Sequence, residues 1–368
     1  MAIVQSLITI VLFFIVLGAL VIVHELGHFV TARMAKVRVL EFGIGFPPRA
    51  KVLRAKGETL YTLNWLPIGG FVKLEGEDGD EEGDPRSFSS QRLPTRLWIL
   101  VAGVLMNVVL AFTIFTGIAW LASPYVGLTV HEVVPGSPAE AAGLQPGDGL
   151  LAIDGERYQF LTGPSILDGL RLRPGEDVVL TVEGADGARR EVPVTLRDQA
   201  AIDAGQGALG ISRGADGWEA RWFDEYASND LPTAVSLGWA HTTNALGLIL
   251  GGLGTLVGSV AADPTAPPPV SGPVGIATQL GDIFWNAGPI MTLYVAGILS
   301  ANLALVNILP FPPLDGGRML MITLKSLFGR RISLRAEQLT YTLGFVFLFA
   351  FLIWITGFDI VRQLSGGA

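Results

Sequence analysis

The chain has 368 residues, half of them hydrophobic and only 16% charged, well below the roughly one quarter usual in a soluble domain. Cysteine is absent, which excludes disulfides, thiolate metal ligands and thiol nucleophiles; a transition metal must be held by carboxylates and the four histidines. The net charge of −8, with no basic cluster interleaved with aromatics, argues against nucleic acid as a partner.

The first element is an uncharged run from Ala2 to Val23, almost continuously apolar from Leu7. A signal peptide would carry a basic n-region, and no Lys or Arg precedes Arg33. Residues 1–32 are therefore read as a membrane span. A charged loop with Gly-rich β segments follows over 33–96, and residues 97–122 form a second span. The segment from Ser123 to Asp230 has eight Arg, no Lys and 18 acidic residues, a charge of −10. Its alternating apolar residues and turn signals predict a small α+β domain over 123–200. Gly127–Val134 reads as a strand, Ser137–Gly143 as a capped short helix, and Val178–Glu183 with Glu191–Leu196 as a hairpin across Asp186–Gly187. Residues 201–288 are expected to be a linker plus a membrane-associated helix, the uncharged Gly-rich stretch Leu231–Ala262. A third span lies within 289–317, a basic loop covers 318–338, and a fourth span and tail occupy 339–368. The acidic stretch Glu75–Asp84 reads as solvated surface.

All five Lys and 11 of the 20 Arg fall in the loops 33–96 and 318–338, which places both loops in the cytoplasm by the positive-inside rule. Were Leu231–Ala262 to span, parity would put Arg318, Lys325, Arg330, Arg331 and Arg335 outside. Either this stretch lies along or dips into the outer interface, or residues 263–288 hide a further crossing. The expectation is about four spans, with the acidic domain outside.

The chemistry begins where the first span ends, in His24-Glu25-Leu26-Gly27-His28. On a helix the two histidines share a face one turn apart and can converge on one ion, with Glu25 beside them to act on water. The metal polarises the scissile carbonyl, and Glu25 takes a proton from the attacking water and returns it to the leaving amine. Ionisable groups at membrane depth are costly, which makes a chance match a poor account of this one. Two histidines leave zinc one protein ligand short. His131 and His241 fall in the outer half by topology. Asp315, in Asn307-Ile-Leu-Pro-Phe-Pro-Pro-Leu-Asp315-Gly316-Gly317, emerges on the cytoplasmic side and is the best third ligand. Its bland alternative is a helix N-cap.

These motifs resemble the site-2 protease family of intramembrane metalloproteases, the bacterial type with a periplasmic PDZ domain. The resemblance implies a polytopic α-helical membrane protein with an inserted α+β PDZ domain. It also implies Zn2+ on His24, His28 and Asp315, Glu25 as acid/base, and Asn307 as a holder of substrate or oxyanion. The bland reading of Asn307 is a helix-packing amide. Glu41-Phe-Gly43-Ile-Gly45 resembles a loop folding back to the site, and Leu66-Pro-Ile-Gly69-Gly70 a strand that meets extended substrate by edge addition. The bland reading of both is a cytoplasmic β-hairpin. The outer domain's S-P-A-x-x-A-G-L and P-G-D patterns resemble a PDZ domain, with Tyr125, Val126, Gly127 and Leu128 as the end-binding loop.

The implied activity is hydrolysis within the spans of single-span proteins, such as anti-sigma factors or signal-peptide remnants. The implied setting is the bacterial inner membrane, with membrane lipid around the protein and a site-1 protease acting upstream. The alternatives are a PDZ-bearing membrane adaptor with a vestigial metal site, and a transporter. The first would tolerate loss of ligands, which are intact. The second needs polar groups on several spans, and the second and fourth runs carry almost none.

Overall fold

The computed structural model describes residues 2–365 apart from 56, 78–83, 215–216, 264 and 330–332. Most of the acidic loop and the Arg330–Arg331 pair thus lie outside the described residues. In chain order the elements begin with α1 (Ala2–Met34), β1 (Val39–Arg54), β2 (Leu60–Leu74) and α2 (Leu93–Leu121). A run of short elements follows: β3 (Ser123–Thr129), β4 (Glu132–Val133), α3 (Pro138–Ala141), β5 (Gly149–Ile153), β6 (Glu156–Arg157) and α4 (Ile166–Arg171). Next come β7 (Asp177–Glu183), β8 (Arg189–Thr195), α5 (Gln199–Asp203), β9 (Ile211–Ser212) and β10 (Ala220–Ala227). Four helices close the chain: α6 (Leu231–Ala262), α7 (Pro273–Asn307), α8 (Asp315–Phe328) and α9 (Leu334–Leu364). The chain divides into two compact units, Met1–Phe115 with Trp239–Ala368, and Thr116–Gly238.

In the first unit the apolar runs become long helices. α1 leaves Ile3, Val4, Leu7, Val11 and Ile15 at least half exposed, a surface that suits lipid rather than water. It ends where Lys36 turns to φ 61° and the Val37 amide closes back on the Ala32 carbonyl at 2.9 Å. Among the described residues five helices are long and apolar enough to cross a membrane: α1, α2, α6, α7 and the greater part of α9. The one beyond the expected four is α6. At 32 residues it is about 48 Å long, while charge parity favours a helix that lies along or dips into the outer interface. α7 begins at Pro273, sixteen residues ahead of the expected span, and breaks at Gly288 (φ 79°, ψ −178°) just before Pro289. The α7 N-terminus has no cap of its own. Asp359 of α9, 3% exposed, supplies one: its carboxylate accepts from the Gly272 amide at 3.1 Å and the Gly275 amide at 2.8 Å.

β1 and β2 form a small sheet in which the first half of β1 is paired on both sides. Phe42 is partnered by Val72 and by Tyr61, and Ile44 by Gly70 and by Leu63. Burial alternates strictly from Val39 to Gly45, while residues 46–54 are exposed. A polar knot of buried Glu41, Thr62 and Asn64 with the exposed Arg49 fixes the arrangement. The Arg49 guanidinium grips both Glu41 oxygens at 2.9 and 2.5 Å, the Thr62 hydroxyl donates to Glu41 at 2.7 Å, and the Asn64 amide donates to the Gly45 carbonyl at 3.0 Å. Burial pushes the Glu41 carboxyl up, but these donors hold it below its usual value.

The second unit is built on a sheet in the order β10-β3-β5-β7-β8, with β6 on β5 and a separate β4-β9 ribbon. Leu128, Val130, Leu150, Ile153, Leu180 and Val182 form its core. Ser137 caps α3, and Ser165 with Asp168 forms a capping box on α4. β7 and β8 are the hairpin expected across Asp186–Gly187. Two expectations change here. Residues 199–230 are not a linker: Ala208 and Leu209 enter the core, and β10 pairs with β3. Tyr125–Leu128 is not a free loop either. It lies in β3, where Val126 is partnered by Trp222, Gly127 by Arg221, and Leu128 by both Ala220 and Leu150. An edge filled by β10 offers no backbone groups to an added strand.

Candidate metal centre

α1 delivers His24 and His28 one turn apart, with their rings edge-on at 4.8 Å between centroids. Asp315 comes from the first turn of α8, 291 residues after His24. Its Oδ2 lies 2.9 Å from His24 Nε2 and 3.3 Å from His28 Nε2, and the two Nε2 atoms are 3.2 Å apart. Leu314, not Asp315, is the N-cap of α8, so the bland reading of Asp315 fails. The following glycines seat it. A Cβ on Gly316 would stand 2.1 Å from the Ile308 carbonyl oxygen, and one on Gly317 2.5 Å from the Phe311 backbone. Only bare backbone lets α8 fold this tightly onto the Asn307–Pro312 turn.

The donor set fits zinc. Tetrahedral ligands bonded at ~2.0–2.1 Å stand about 3.3 Å apart, and the three observed separations fall at or a few tenths below this. Two imidazoles and one carboxylate leave a fourth position for water or substrate. Among the described residues no other cluster of three such groups occurs. His131 instead pairs with Glu219 at 3.3 Å, and His241 Nδ1 meets the Tyr294 hydroxyl at 3.1 Å.

α2 is the wall behind the two rings. His28 Nδ1 donates to the Ile99 carbonyl at 2.8 Å, which leaves Nε2 free as a ligand. Asn107, fully buried, places its amide nitrogen 3.3 Å from His24 Nδ1. Between them Gly103 faces the imidazoles directly. A Cβ there would lie 2.4 Å from His28 Nε2 and 2.9 Å from His24 Cε1. One turn along α1, Gly27 touches the Ala102 carbonyl in the same way. These α2 positions escape a sequence reading because the run looks uniformly apolar. The usable signal was Asn107, a carboxamide at membrane depth.

Glu25 is half-buried and turns toward β2. A Cβ on Gly70 would sit 3.8 Å from Glu25 Cγ and 2.9 Å from the Gly43 carbonyl oxygen. Gly43 lies under the Phe71 ring, and Gly69, at φ 77°, packs beside Val21 of α1. Gly45, at φ 78°, closes on the Leu66 carbonyl. The four glycines singled out from sequence thus share one sheet. Gly70 lies beside Glu25, and Gly45 belongs to the turn at the far end. Asn307 is half-buried at the end of α7, with no side-chain hydrogen bond to it among the described residues.

Comparison with known proteins gives the family. The model of Peptidase family M50 matches residues 12–351. A protein of Clostridium perfringens, provisionally named a zinc metalloprotease, is 34% identical over 94% of this chain and 96% of its own length. The zinc metalloprotease RasP of Geobacillus kaustophilus is 28% identical over 98% of this chain and 99% of its own. The probable protease eep of Enterococcus faecalis is 26% identical, covering 96% and 99%. With its apolar helices and clustered ligand groups, the chain belongs to Peptidase family M50, the site-2 proteases, and is a multi-pass intramembrane zinc metalloprotease.

Proposed function

We propose that the protein hydrolyses peptide bonds inside the membrane spans of single-span proteins, as a step of regulated intramembrane proteolysis. The observation that carries this reading is the junction at Glu25, where the ligand triad meets the Gly70 backbone of β2. A substrate helix must unwind before its amides can be cut, and an unwound segment needs backbone partners. The 66–74 segment of β2, paired with β1, is the candidate partner, with Gly43, Gly69 and Gly70 keeping the approach bare.

His24, His28 and Asp315 would hold the zinc. When bound, the ion supplies a Lewis acid for the scissile carbonyl and lowers the pKa of the attacking water. Glu25 accepts that water's proton and passes it to the departing amine. Asn307, whose amide meets no partner among the described residues, donates to the substrate carbonyl or the developing oxyanion.

Charge supports an inner-membrane setting, with the loops 33–96 and 318–338 in the cytoplasm and the acidic unit outside. That unit is read as a PDZ domain. With its β3 edge filled by β10, restricting bulky substrates suits it better than peptide capture through Tyr125–Leu128. Substrates shortened by an upstream site-1 protease, such as anti-sigma factors or signal-peptide remnants, fit that role. The test is cleavage of a model single-span substrate in proteoliposomes, with the cut mapped by mass spectrometry. A cut within the span supports the proposal; cutting confined to the aqueous flanks overturns it.

A further inference from the structure

Asn107 has a buried polar atom whose hydrogen bonding does not close. It is fully buried on α2, and Ser300 of α7 pins its backbone carbonyl at 2.8 Å. Its Nδ2 faces His24 Nδ1 at 3.3 Å, while its Oδ1 is buried with no hydrogen-bond partner. An unmet acceptor in a low-dielectric interior is costly, so its presence calls for a reason.

The His24 ring supplies one. As arranged, Asn107 donates to Nδ1, which suits a ring carrying its proton on Nε2 and giving it to Asp315 Oδ2 at 2.9 Å. A ring that offers Nε2 to a metal must carry its proton on Nδ1 instead. It then needs an acceptor at the place where Nδ2 stands. A half-turn of the carboxamide brings Oδ1 there, since the two ends of an amide are nearly equal in size. His28 has no such freedom: the Ile99 carbonyl can only accept, and holds that ring permanently in the ligand tautomer.

We infer that Asn107 is a positioning residue for the zinc site: with Oδ1 turned to His24 Nδ1, its carboxamide accepts the Nδ1 proton of a ring that offers Nε2 to the ion. The two histidines are then supported alike through Nδ1, His28 by the Ile99 backbone carbonyl and His24 by a side chain. The inference rests on His24 being a zinc ligand. A separate His24→Ala control tests that premise: it should abolish zinc binding whatever Asn107 does.

The test compares Asn107→Leu, Asn107→Asp and wild type in detergent. Zinc affinity is measured by chelator competition, cobalt substitution by its visible absorption bands, and folding by thermal melting of the metal-free protein. Leu has nearly the same volume and no acceptor, so zinc affinity should fall about 10–100-fold, the range for losing a partner behind a metal-bound histidine. Asp can only accept, which favours the ligand tautomer, so affinity should equal or exceed wild type with an unshifted cobalt spectrum. A structural role alone would make both variants lose affinity together. Wild-type affinity in Asn107→Leu, or equal loss in Asn107→Asp, overturns the inference. Should the Leu variant not fold, the Asp variant decides alone.

Discussion

Gly103→Ala adds one methyl group at the most crowded point behind the metal centre. The new Cβ would lie 2.4 Å from His28 Nε2, 2.6 Å from His28 Cε1 and 2.9 Å from His24 Cε1. Ordinary contact begins at 3.4 Å, so the closest pair falls short by about 1 Å. Neither ring can swing away cheaply, because the Ile99 carbonyl holds one and Asn107 the other. Parting α1 from α2 is the remaining relief, and overpacking of this kind costs roughly 1–3 kcal/mol. A metal site tolerates ligand displacements of only about 0.2 Å. Zinc affinity should therefore fall by at least ~10-fold, and peptide cleavage by ~100-fold at matched zinc, as expected for a 1 Å misplacement. Chelator competition, cleavage rate and helical circular dichroism together make the assay. A variant with wild-type affinity and rate would refute the view that α2 is a close-fitted wall behind the ligands.

Two further predictions lie outside the centre. Asp359→Ala leaves the Gly272 and Gly275 amides of α7 without their carboxylate, and should lower stability by about 2–3 kcal/mol, read as an earlier thermal transition; an unchanged transition contradicts the capping role. The Glu41 carboxyl is held below its ordinary value of 4.5, so its contribution is complete above that pH and fades as pH falls through the folded-state value. The stability gap between wild type and Glu41→Gln should thus narrow with acidification below pH 4.5, and a gap independent of pH would count against the Arg49–Glu41 account.

Much of the site was legible in the sequence because its chemistry uses rare residues at fixed spacing. His24, Glu25 and His28 are read from one helical turn, and Asp315 from the demand for a third ligand plus the positive-inside rule. What stayed hidden depends on contacts between elements. Gly103 matters only because α2 crosses α1 at the histidines, and no pattern within α2 announces that crossing. β10 was missed because Arg221-Trp222-Phe223 sits in a polar, Gly-rich context, and its pairing with β3 is set some ninety residues earlier. α6 is long and apolar enough to cross, and charge parity alone speaks against its crossing. Parity from charge remains a sound constraint on the termini of these helices, but it cannot count helices that end in loops with few charges.

The central claim is a single zinc centre assembled from α1 and α8, with Glu25 moving the proton. It is tested most directly by measuring zinc content and single-span substrate cleavage on the same preparations of wild type, Glu25→Gln and Asp315→Ala. One zinc per chain and cleavage are expected in wild type, full zinc without cleavage in Glu25→Gln, and loss of both in Asp315→Ala. Cleavage by Glu25→Gln at the wild-type rate, or undiminished zinc in Asp315→Ala, would contradict the claim.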